Sequence, residues 1–107
     1  MASQATHPAG QDPVRVDSRH YTVELENEKV RVLRVRYGPK EKSVMHGHPA
    51  LAGVMLTDAN IRFTYPDGRT EDITAKAGTL LNFPALEHLP ENLSDQPFEA
   101  VVVELKG

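Results

Sequence analysis

Cysteine is absent from the 107 residues, so disulfides, thiolate metal ligands and a cysteine nucleophile are all excluded. Long apolar runs are missing as well. The opening "MASQATHPAGQDPV" has no hydrophobic leader core, and no later stretch approaches the roughly 18 apolar residues of a membrane span, so a cytoplasmic chain with no membrane partner is expected. Basic clusters are lacking too. Twelve Lys+Arg stand against 15 Asp+Glu, a net charge of −3, which argues against electrostatic capture of nucleic acid. Finally, no segment keeps a 3.6-residue apolar period for three turns, so the core is not built from helices.

What is present is alternation and turns. Residues 1–14 hold three alanines, two prolines and several small polar residues with no apolar rhythm, which predicts a disordered arm, and a single domain over 15–107. From there the chain reads as short strands over residues 21–27, 29–37, 50–57, 60–66, 69–75, 79–83 and 98–106. Between them stand turn-forming groups such as Pro66-Asp67-Gly68 and Asp58-Ala59-Asn60. Such a pattern predicts an all-β sandwich or barrel.

The histidines stand out next. In "VMHGHPALAGVM" (44–55), His46 and His48 are one residue apart. On an extended strand they share a face with Cα atoms about 7 Å apart, a span that two imidazoles can close around one ion. Further on, "GTLLNFPALEHLPEN" (78–92) spaces Gly78, Pro84, His88 and Asn92 by five, three and three residues. That spacing resembles the second motif of the cupin superfamily, and "GPKEKSVMHGHPALAG" (38–53) resembles the first. The resemblance runs from about residue 20 to 106. It implies a double-stranded β-helix, the RmlC-like jelly-roll barrel of small single-domain cupins, with the two motifs facing each other across the lumen and His46, His48 and His88 as metal ligands.

One departure carries chemical weight. Where the family's first motif usually supplies a glutamate, this chain has Ala52 and Gly53. The arrangement resembles three-histidine cupins such as acetylacetone dioxygenase, and implies a divalent ion held by imidazoles alone, with Fe(II) favoured and Zn, Ni, Mn or Cu as alternatives. Lacking a carboxylate ligand, such a centre keeps its full 2+ charge and suits a small anionic substrate that chelates through oxygen. A non-haem iron dioxygenase is the leading expectation. A zinc or nickel lyase or isomerase, or a non-catalytic module that binds or senses a small molecule, are the alternatives.

Other residues receive expected roles. Arg36, with Arg34, is a candidate clamp for a substrate carboxylate if their face of the strand is the lumen. Glu87 is a candidate base, or a partner for a ligand imidazole. By strict alternation Ala52 shares the face of His46 and His48, so Ala52→Glu should restore a fourth ligand. Asn92 is expected to fix a turn, and Met45, Met55, Phe63, Phe83 and Phe98 to line core or pocket. His7 and His20 have no spacing partner and read as incidental. A homodimer is expected, formed where strand edges and outward-facing Leu51, Met55 and the neighbours of Val54 need cover.

Overall fold

The computed structural model describes residues 11–107; His7 and most of the expected arm lie outside the described residues. Nine strands follow one short helix: α1 (Pro13–Val16), β1 (Tyr21–Glu26), β2 (Val30–Tyr37), β3 (His46–His48), β4 (Leu51–Met55), β5 (Ala59–Thr64), β6 (Thr70–Ala75), β7 (Leu80–Phe83), β8 (Leu86–Asn92) and β9 (Phe98–Leu105). They form a five-stranded antiparallel sheet in the order β1-β2-β9-β4-β7 and a four-stranded one in the order β3-β8-β5-β6. Among the described residues no helix is long and apolar enough to cross a membrane.

Alternation decides which side chains go inside. On β2 Leu33, Val35 and Tyr37 are buried, and on β9, paired with it along its length, Phe98, Ala100 and Val102 are buried. The four-stranded sheet supplies Ile61 and Phe63 from β5 to the same core. Fully burying a side chain such as Leu33 or Phe63 contributes about 2 kcal/mol each, so the apolar faces hold the two sheets together.

The boundary of the domain differs from expectation. Residues 12–14 belong to the body, because Asp12 caps α1 through its side chain on the Val14 amide (3.0 Å) and Pro13 is buried. Asp12 also binds Arg31 at 2.9 Å, and the Gln11 carbonyl accepts the Gly47 amide at 2.8 Å. The start of the body thus closes over the strand that carries two of the histidines.

A second difference concerns the corner after β3. Pro49 and Ala50 carry the chain from the four-stranded sheet to the five-stranded one, so strand parity does not continue from His48 into β4. Leu51 and Met55 are buried in the core, and Ala52 is exposed on the outer face. The expected outward set is therefore corrected: Leu51 and Met55 point inward. Asn92 fixes the turn after β8 as expected. Its side-chain amide donates to the carbonyls of Gly38 (2.9 Å) and Gln96 (2.8 Å), and its oxygen accepts the Ser94 amide at 2.9 Å.

Candidate metal centre

Pairing between β3 and β8 builds the centre. His46 lies directly opposite His88 in the ladder, and His48, two residues along, stands on the same face. The two motifs are hydrogen-bonded neighbours in one sheet, rather than facing each other across the lumen. All three imidazoles are buried, and one ring nitrogen from each lies within 4.8 Å of the others. The rings stand nearly perpendicular to one another, with centroids 4.9 to 5.2 Å apart.

Hydrogen bonds fix which nitrogen His46 and His48 offer. His46 Nδ1–H donates to the Val44 carbonyl (2.9 Å), with Ser43 Oγ at 3.3 Å, leaving Nε2 as the lone-pair atom. His48 Nδ1–H donates to Glu104 Oε2 at 2.6 Å, so its Nε2 is likewise the lone-pair atom. His46 Nε2 and both nitrogens of His88 are buried without a hydrogen-bond partner. A buried polar atom left unpaired costs about 1–3 kcal/mol, and a cation that accepts one lone pair from His46 and one from His88 accounts for two of these three; the other nitrogen of His88 carries the ring proton.

Burial also keeps His46 and His88 neutral. It is the main reason that the His46 pKa is pushed down to about 4, with His48 beside it adding to the effect. His88 is held well below its usual value first by burial, then by His48 and His46. At neutral pH both present free lone pairs, as a metal ligand must. Donor set, burial and unpaired nitrogens fit one divalent ion.

Glu104 does not replace the glutamate missing from the first motif; it stands behind His48. Fully buried on β9, it accepts Arg31 Nε (3.0 Å) and Nη2 (2.8 Å) on Oε1, and His48 on Oε2. Arg31 reaches on to Asp12, so Asp12, Arg31, Glu104 and His48 form one chain of charge-assisted bonds behind the ligand. A second polar cluster lies behind His46. There His20, read from the sequence as incidental, is buried with Nδ1 at 2.8 Å from Asp17, Nε2 at 2.9 Å from Glu41 and its ring stacked 4.1 Å from that of Tyr37. Ser43 Oγ donates to Asp17, which joins this cluster to His46.

The expected catalytic pair is not at the centre. Arg36 and Arg34 project from the outer face of β2, where both bind Glu99 Oε2 (3.3 and 2.8 Å); the inward residues of β2 are Arg31, Leu33, Val35 and Tyr37. Arg36 is exposed. Glu87, on β8, pairs with Gly47 of β3, and alternation turns it to the face opposite His88. Ala52 points outward, so Ala52→Glu would place a carboxylate on the outside of the barrel rather than on an ion.

Beside the histidines a half-open cavity of about 70 Å³ lies between the two sheets, lined by His48, His88 and otherwise by apolar side chains and two tyrosines. Tyr21 and Tyr37 hydrogen-bond each other through their hydroxyls at 2.7 Å, and the Tyr21 ring packs 4.9 Å from His46 and 5.8 Å from His48. Burial above all raises the pKa of both phenols, so they remain hydroxyls. Of the expected lining residues, Met55, Phe63, Phe83 and Phe98 border this space.

No protein-family model and no curated protein matches the chain. Solved structures do. A cupin domain from Bordetella pertussis superposes with a TM-score of 0.75 at 28% identity, covering 81% of this chain and 92% of that one. An RmlC-like cupin with a double-stranded β-helix from Methanocaldococcus jannaschii gives a TM-score of 0.62 at 18% identity over 84% of each chain. Oxalate oxidase in complex with the substrate analogue glycolate gives 0.54 at 20% identity, over 69% of this chain and 40% of that one. This chain has the cupin double-stranded β-helix fold, with three histidines grouped where one metal ion can be held.

Proposed function

We propose that the protein is a metal-dependent cupin enzyme, a non-haem Fe(II) dioxygenase that uses His46, His48 and His88 as ligands for a small anionic substrate chelating through oxygen. The observation that carries this reading is the set of buried imidazole nitrogens without partners in a group of three. Bound Fe(II) supplies a redox-active Lewis acid, and three neutral ligands leave its charge undiminished. The chain supplies the rest. Glu104 and the Val44 carbonyl orient two of the imidazoles, and a largely apolar wall borders the space beside them. Likeness to oxalate oxidase in complex with glycolate, a small hydroxy acid anion, is in keeping with the substrate class.

Protein purified without a histidine tag should carry close to one metal ion per chain, and the iron form should consume O₂ with a small β-dicarbonyl or 2-oxo acid. Metal-free protein that still binds a small molecule would point instead to a binding module, and a zinc form active without O₂ to a lyase or isomerase.

We also propose that two copies pair. The edge strand β1 and the outer face of the five-stranded sheet expose Leu25 (57%), Leu105 (51%) and Leu80 (81%), a set that a two-fold axis can cover with its own copy. Light scattering on the eluting protein should give twice the chain mass; a strict monomer at micromolar concentration rules the pairing out.

A further inference from the structure

The cavity beside the histidines is unusual in what its wall lacks. It is bordered by sixteen residues, none of them Lys, Arg, Asp or Glu. Its polar atoms belong to His48, His88, Tyr21 and Tyr37, and the two phenol hydroxyls already bond each other. The cationic side chains on the neighbouring strand are spoken for elsewhere: Arg31 is held by Glu104 and Asp12, and Arg34 and Arg36 lie outside on Glu99. A carboxylate or ammonium placed in this space would therefore be desolvated with no partner, among the least favourable states in a protein interior.

Size adds a second constraint. An apolar cavity of about 150 Å³ accommodates benzene, with six carbons. The 70 Å³ here is about half of that, room for a chain of about three carbons. The apolar lining includes Val35, Ala100 and Val102 from the five-stranded sheet and Ile61 and Phe63 from the other.

Building on the metal-centre reading above, we propose that the substrate has a single chelating oxygen head, lying at the histidines, and one uncharged apolar tail of about three carbons that fills this cavity. Any charge it carries resides on the chelating oxygens, where the ion compensates it. A second acidic group on the tail is rejected, and a chelator without a tail, such as oxalate, leaves the cavity unfilled.

The test uses the zinc-loaded protein, which cannot turn over by oxidation, and calorimetric titration with three 2-oxo acids that share one head. 2-Oxopentanoate carries a propyl tail, pyruvate a methyl, and 2-oxoglutarate ends a tail of similar length in a second carboxylate. The propyl compound should bind about tenfold more tightly than pyruvate, from two further buried methylenes, and at least about a hundredfold more tightly than 2-oxoglutarate. Ala100→Val, which narrows the cavity from β9, should remove most of the advantage of 2-oxopentanoate over pyruvate while leaving zinc content unchanged. Protein that takes up no zinc defeats the metal-centre reading, and this proposal with it. Protein that binds zinc but prefers 2-oxoglutarate, makes no distinction among the three acids, or binds none of them overturns the substrate proposal alone.

Discussion

His88→Ala is expected to abolish tight metal binding as completely as His46→Ala does, although the two residues belong to motifs far apart in the sequence. They are cross-strand partners in the β3–β8 ladder, and each contributes a buried lone pair that nothing else uses. Loss of one of three ligands should weaken zinc by more than the about 10–100-fold typical of removing a supporting residue, measured by competition against a chromogenic chelator. The metal-free variant should at the same time fold well. It loses some packing against Phe63, whose ring lies 4.2 Å from that of His88, but it also loses two nitrogens that are unpaired without an ion. Acid sharpens the contrast. A histidine whose folded pKa lies below its unfolded one takes up its proton first in the unfolded chain, so native stability falls as pH drops through that interval. For His46 the interval runs from about 6.5 to about 4, and His88 acts in the same direction. Metal-free His88→Ala should therefore lose less stability than metal-free wild type between pH 7 and pH 4.5 in urea denaturation. Wild-type zinc affinity in a folded His88→Ala protein would remove His88 from the centre.

Much of this architecture was legible because period-2 alternation is a local signal. Seven strands read from the sequence recur as β1, β2, β4, β5, β6, β7 and β9, each within a residue or two of its expected ends. The two short strands that carry the histidines are different. β3 has three residues and β8 contains a proline, too little alternation for either to be read as a strand; only the motif spacing pointed to them. Parity failed at one place. Extrapolating from His48 to Ala52 assumed continuous extended chain, whereas Pro49-Ala50 is a corner between sheets, and a slip of one residue there exchanges inside for outside. The arginine clamp failed for a related reason. Alternation gives two faces of β2 and does not say which is the lumen, and Arg34 and Arg36 are on the wet one.

Glu104 was within reach of the same reasoning. Along β9 the inward residues are Phe98, Ala100, Val102 and Glu104, and along β2 they are Arg31, Leu33, Val35 and Tyr37. Each apolar face thus carries one charge at its end, of opposite sign on the two strands, and the register sets Arg31 opposite Glu104. A buried ion pair is seldom a net gain over apolar packing, so its presence points to a task. That task is visible only in three dimensions, because His48 comes from the other sheet. His20 had no such signal; its partners Asp17 and Glu41 meet it through a turn and a loop.

The sharpest consequence concerns Glu104→Gln, a change of one atom that keeps shape and burial. In the native chain Oε1 accepts two donors from Arg31 and Oε2 accepts the His48 Nδ1 proton. A glutamine has one acceptor and one donor end. Arginine has no acceptor to offer, so the amide oxygen stays with Arg31 and the amide NH₂ turns to His48. Nδ1 must then accept, which moves the ring proton to Nε2, the atom that faces the ion. Binding requires expelling that proton or breaking the new contact, and zinc affinity should fall by about 10–100-fold while His46 and His88 remain in place. Glu104→Asp, one methylene shorter but still an acceptor on both oxygens, should lose less than Glu104→Gln. The imidazole proton can be followed directly by nitrogen-15 NMR, which separates the two tautomers by chemical shift. Wild-type protein without metal should show His48 protonated at Nδ1, and Glu104→Gln should show it protonated at Nε2. A glutamine variant with the native tautomer and native zinc affinity would mean that Glu104 serves the fold through Arg31 and has no hold on the ligand.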